Sequence, residues 1–162
     1  MKKLISAILA LTMMLALVAC GNEEKNEPQE AMDLTKYYND FMALLGEANT
    51  PFMMAADPDT LNAFYPGLTD IATKQCVVQM PGMSAVAFEF ALIECEKSED
   101  VEAVKAILEA RKAYQVEGGA WYPETMEAWE KAQIVVKGNV VALILAGEST
   151  ADAVSAFDAL FN

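Results

Sequence analysis

The chain has 162 residues, with 11 Lys and Arg against 24 Asp and Glu, three cysteines and no histidine, for a formal net charge of -13. So acidic a surface is repelled by phosphate backbones and anionic headgroups, which sets nucleic-acid binding aside, and most of the acidity serves solubility. The absence of histidine excludes His-based triads, zinc-protease helices and His-ligated metal sites.

Lys2 and Lys3 form a charged start, and Leu4 to Val18 is apolar except for Ser6 and Thr12. At about 15 residues the run has the length of a secretory segment and is shorter than the roughly 20 that a spanning helix needs. Leu17-Val18-Ala19-Cys20 resembles the lipobox of bacterial lipoproteins, in which the cysteine is lipidated and becomes the first residue. The expectation is a signal peptide over residues 1–19 and a lipid-anchored, extracytoplasmic chain from Cys20. Losing Lys2 and Lys3 leaves nine basic side chains against 24 acidic, a net charge of -15. Two or more acyl chains hold a soluble domain firmly at a bilayer, where one binds only marginally.

Residues 20–32 are polar, charged and almost without apolar side chains, so they read as a tether with a coil length of roughly 18 Å. The remaining span, residues 33–162, suits one hydrophobic core and is short for two domains.

From Asp33, the spacing of Leu34, Tyr38, Phe41 and Leu45 predicts a helix closed by Gly46. Asn49 to Ala56 reads as a loop. Asp57-Pro58 then starts a short helix, aspartate as N-cap and proline at the first helical position, running to about Tyr65. Lys74 to Met80 and Ser84 to Glu96 read as a hairpin turning at Pro81-Gly82. In the second strand Val86, Phe88, Phe90 and Leu92 form the expected core face. Ser98 caps a helix whose inner stripe is Val101, Val104, Ile107, Leu108 and Tyr114, ended by Gly118-Gly119. Pro123 to Glu130 is another short helix. Gln133 to Lys137 and Val140 to Ala146 form a hairpin through Gly138-Asn139, and Ser149 caps a terminal helix carrying Val154, Phe157 and Leu160.

The expected fold class is therefore α+β: an antiparallel sheet of about four strands from two strand-strand-helix units, with helices mainly on one face and extra N-terminal helices. The strand Val140 to Ala146 is apolar on both faces, which asks for cover on each side or a partner surface. The expected hairpin sets Cys76 about eight residues out of register with Cys95, roughly 26 Å apart, so both are expected to be free, buried thiols.

Arg111, Gln115, Trp121-Tyr122-Pro123 and the run Ile134 to Leu143, followed by a terminal helix and preceded by the lipobox, resemble a family of uncharacterised lipoproteins of low-GC Gram-positive bacteria, a domain of unknown function. The resemblance spans about Asp33 to the end, with most of its specificity between Ile107 and Leu145. It implies a cell-surface lipoprotein and supplies no catalytic residues.

No Gly-rich phosphate loop occurs, and no Ser-x-x-Lys spacing follows Cys20. Asp57-x-Asp59 lacks the glycine and the later glutamate of a calcium loop, so helix capping explains it. Met53-Met54 and Met80-x-x-Met83 read as adaptable packing or a greasy contact surface rather than a copper site. No metal, cofactor or catalytic constellation is expected, hence no enzyme.

Arg111, the single arginine, shares an inward stripe with Val104 and Leu108, and a buried charge there requires partners. Gln115 and Tyr122 are candidates to complete a polar cluster, and the plainer account has Arg111 snorkelling or pinning a loop through carbonyls. Trp121, Tyr122 and Trp129, with Tyr122 and Trp129 seven apart on one helical face, either close the core beneath the double glycine, the favoured account, or form a platform for a sugar ring or a partner. The expected role is a non-enzymatic binding or accessory module for an envelope protein partner, with a small-ligand or cell-wall carbohydrate binder as the alternative.

Overall fold

The computed structural model describes residues 32–162; the expected leader, Cys20 and all but the last residue of the expected tether lie outside them. Asp33 caps α1 (Leu34–Leu45), its carboxylate accepting from the Lys36 N–H at 2.9 Å. Next come β1 (Met53–Ala55) and α2 (Pro58–Phe64), the latter capped by Asp57, which accepts from the Thr60 N–H at 2.8 Å. β2 (Thr73–Pro81) and β3 (Phe88–Cys95) lead into α3 (Val101–Tyr114), whose last turn widens into a π turn over Gln115–Gly119. α4 (Pro123–Glu130), β4 (Gln133–Lys137), β5 (Val140–Ala146) and α5 (Thr150–Asp158) complete the strands and α-helices among the described residues.

The strands form one open antiparallel sheet in the order β1-β2-β3-β5-β4. The α+β class is as expected, and the β4–β5 hairpin turns at Gly138, where φ is +56°, a value that glycine adopts without Cβ strain. A fifth strand appears where a loop was expected: Met53 pairs with Pro81 and Met54 with Met80. Its presence also explains why Pro81-Gly82 does not turn the chain. The Gly82 N–H donates to the Phe52 carbonyl at 2.8 Å, and a Cβ on Gly82 would lie 2.6 Å from the Phe52 ring. Gly82 is thus held at the sheet edge, the reversal occupies residues 82–87, and β3 starts at Phe88 rather than Ser84. Cys76 consequently faces Ile93 instead of the region of Ala87, and Cys95 faces Thr73. Both cysteines are free, but only Cys95 is buried; Cys76 is exposed, against expectation.

Helices cover both faces of the sheet rather than mainly one. The physical reason is β5, in which every residue is buried, so neither of its faces tolerates water. On one face Phe88, Phe90 and Leu92, in register with Ala146, Ile144 and Ala142, meet Tyr37 and Phe41 of α1 and Phe157 of α5. Phe90 is at the centre, with Tyr38 at 5.4 Å and Phe41 at 5.9 Å between ring centroids. On the other face Ala91, Ile93 and Cys95 pack with Val101, Val104 and Leu108 of α3 and Trp129 of α4. Tyr114, assigned by its spacing to the inner stripe of α3, points outward and is exposed.

A candidate binding cavity over a buried ion pair

Glu89 is the second residue of β3 and alternates onto the α3 face of the sheet, opposite Leu145 of β5. Its neighbours in the strand are phenylalanines, and the residue is 0% exposed. Arg111 approaches from α3 on the stripe of Val104 and Leu108 and is 4% exposed. The two join as a fork: Arg111 Nε donates to Glu89 Oε1 at 2.9 Å and Nη2 to Oε2 at 2.7 Å. The Tyr65 hydroxyl donates to the same Oε1 from the end of α2. Arg111 therefore binds a carboxylate, not loop carbonyls, and does not snorkel.

The guanidinium is sandwiched among aromatic rings, with Phe64 4.9 Å, Trp129 5.2 Å and Tyr65 5.8 Å from its central carbon. Ring faces attract a cation, which offsets part of the several kcal/mol that taking each ion out of water costs. Burial pulls the Arg111 pKa down, but the hydrogen bonds and charge of Glu89 outweigh it and hold the guanidinium above its ordinary value. Burial, then the Glu89 carboxylate, pushes the Tyr65 phenol well above its ordinary range. Arg111 thus stays charged and Tyr65 neutral across the physiological range.

The cluster is incomplete. Arg111 Nη1 and Gln115 Oε1 are shut away from water without a hydrogen-bond partner. An unsatisfied buried polar atom costs roughly 1–3 kcal/mol, and a buried ion pair is often replaceable by apolar side chains with no loss of stability. Folding alone does not account for such a cluster.

A cavity of about 300 Å³ lies over it, lined by Glu89, Arg111, Gln115 and Trp129 on the polar side and by Met54 and Met80 among the apolar walls. A second hollow of about 290 Å³ adjoins it, and Phe64, Arg111 and Tyr114 line both, so the exposed Phe64 and Tyr114 side chains partition the space. Gly119 is placed for this: a Cβ there would lie 2.4 Å from the Tyr114 ring. A larger depression of about 590 Å³, around Gln133 and Thr150, is lined by none of the buried unpartnered atoms and is open to solvent.

The candidate residues divide. Arg111, Gln115 and Trp129 meet at the cavity, with Trp129 2% exposed against the guanidinium. Trp121 and Tyr122 do not close the core; they are 89% and 56% exposed. Tyr122 precedes α4 in extended backbone, so it shares no helical face with Trp129 and does not join the polar cluster. Cys20 lies outside the described residues. Glu89 and Tyr65 were missed, although an acid enclosed by Phe88 and Phe90 in a strand was a visible signal, as was the demand of an inward arginine for a counter-charge.

The family model for a domain of unknown function (DUF4358) matches residues 47–146. The chain belongs to the DUF4358 family. The DUF4358 match encloses every residue lining the cavity and runs from just before β1 to the end of β5, omitting α1 and α5. No curated protein and no solved structure matches the chain. Among the described residues, no helix is long and apolar enough to cross a membrane.

Proposed function

We propose that this DUF4358 chain is a lipid-anchored, extracytoplasmic binding module that engages an envelope protein partner through the end of the molecule where the cavity opens. The anchor rests on the Leu17-Val18-Ala19-Cys20 motif and its apolar leader. The observation that carries the binding role is the set of large exposed apolar side chains at that end. Met54, Phe64 and Tyr114 line the cavity; Phe52 lies on Gly82, next to the exposed Met83; and Trp121 and Tyr122 follow cavity-lining Gly119. The Thr125 hydroxyl donates to the Ala85 carbonyl at 3.0 Å, tying the start of α4 to the same loop. Exposed apolar groups concentrated around a hollow mark contact surfaces.

A binding role suits the polar floor better than catalysis. Both Glu89 oxygens already accept hydrogen bonds, and Arg111 holds its proton, so neither is free to move one. A second reading, a cell-wall carbohydrate binder, draws on Trp121, whose ring stands free beside Tyr122.

The test is a photo-crosslinking amino acid placed in cells at Met83 or Trp121, and at the exposed Ala151 of α5 as control. The rim positions are expected to give one discrete protein adduct that Ala151 does not give, in the membrane fraction, and Cys20→Ala is expected to release the chain from it. Identical adducts at all three positions, or none at the rim, contradict the partner; a membrane-bound Cys20→Ala chain contradicts the anchor. Saturable tryptophan fluorescence change with peptidoglycan glycans, abolished by Trp121→Ala, would favour the second reading.

A further inference from the structure

We infer that the cavity over Arg111 takes a neutral amide edge, its carbonyl oxygen accepting from Arg111 Nη1 and its N–H donating to Gln115 Oε1. This rests on the binding role proposed above and specifies the group received.

The charge balance fixes neutrality. Glu89 occupies two of the three guanidinium nitrogens in a fork, so the pair presents little net charge. A carboxylate ligand would bring a second anion beside Glu89, which itself lines the cavity, in a chain that already carries -13. A cationic ligand would meet Arg111. The unpartnered atoms fix the polarity: one is a donor only, the other an acceptor only. An amide offers the complementary acceptor and donor on one planar group. The walls fix the rest of the ligand. Met54, Phe64, Met80, Pro81 and Val86 make most of the wall apolar, with Thr60 and Ser84 the hydroxyls of short side chains on it, so a group with one polar end on an apolar stem fits better than a polyol. The volume, about 300 Å³, is at the small end of ligand sites and suits one side chain.

Phe64 and Tyr114 are the cover. Nη1 and Oε1 are closed to water in this structure, while these two rings partition the space above Arg111 and are themselves exposed. Their displacement opens the two atoms to the entering amide, which then pairs them.

The test uses the intact chain with Trp121→Phe, leaving Trp129, which lies against the guanidinium, as the single tryptophan. Butyramide, butyrate and butanol serve as probes, with N-acetylglutamine methylamide alongside. Saturable change with butyramide and none with butyrate at equal concentration is expected. Gln115→Leu, at a half-buried position that makes no hydrogen bond to Glu89 or Arg111, is expected to bind butyramide about fivefold more weakly, the loss of one neutral hydrogen bond. Butyrate or butanol binding as well as butyramide, or an unchanged Gln115→Leu, overturns the inference. Tighter binding of the blocked glutamine than of butyramide assigns the amide to a polypeptide side chain, and equal binding assigns it to a free small amide. A rim adduct that persists while butyramide fails would leave the partner role standing and remove only the amide.

Discussion

The two faces of the sheet are built on opposite terms. Against α1 and α5 the contacts are ring on ring around Phe90, and the Tyr37 hydroxyl donates to the Ala153 carbonyl at 2.7 Å. Against α3 and α4 the same strand carries Glu89, a bound arginine, two unpartnered polar atoms and a cavity. One face is closed in the way a core closes. The other retains features that core packing does not require, and it is the face whose helices fall within the DUF4358 match.

The most severe way to break the contrast is a truncation on each face. Glu89→Ala leaves Arg111 charged and unpaired in the interior and is expected to cost about 3–5 kcal/mol in denaturant unfolding. Phe90→Ala, which empties the centre of the aromatic face, is expected to cost a similar roughly 3–5 kcal/mol. The sharper test is Glu89→Leu with Arg111→Met and Tyr65→Phe, the last because the buried Tyr65 hydroxyl would otherwise lose its acceptor. Replacing a whole buried pair by apolar side chains is often neutral or stabilising by about 1–4 kcal/mol, so the triple variant is expected to fold at least as stably as the parent. The rings around Phe90 offer no such exchange, because their contacts are ring on ring.

A smaller effect separates the tyrosines. Tyr65→Phe removes a donor to a carboxylate and is expected to cost roughly 1.5–3 kcal/mol at neutral pH. Tyr65, Tyr37 and Tyr38 all have folded pKa values raised by burial. A raised folded value means that the unfolded chain ionises first, so stability is full below the ordinary tyrosine value of 10.0 and declines as pH rises beyond it. The decline, followed by urea midpoints against pH, is expected to be shallower in Tyr65→Phe by the share of one group. Least of all, Trp121→Ala is expected to shift stability by no more than about 0.5 kcal/mol, since its ring is exposed and packs on nothing that folding requires.

The closed face was easier to read from sequence than the open one. Helix caps at Asp33 and Asp57 and the Gly138-Asn139 turn are local devices, and each forms where its residues stand. The doubly apolar run Val140 to Ala146 announced two-sided cover, although the simpler one-sided arrangement was expected. The β2–β3 register was not local: it depends on Phe52 holding Gly82, a contact across the sheet edge that no turn rule contains. The cavity failed to appear for the same reason. Arg111 was legible as an inward charge in want of a partner, but Glu89 lies 22 residues earlier on another element. The outward turn of Trp121 and Tyr122 is set by the extended backbone between the double glycine and Pro123, where helical spacing has no meaning.

On the proposed function, the ion pair and its cavity serve binding rather than folding. The direct measurement is the yield of the Met83 crosslinked adduct in the Glu89→Leu, Arg111→Met, Tyr65→Phe variant, with the unfolding midpoint taken on the same purified chain. A midpoint at or above that of the parent together with loss of the adduct is the predicted result. An adduct at parental yield from the folded triple variant would contradict that role.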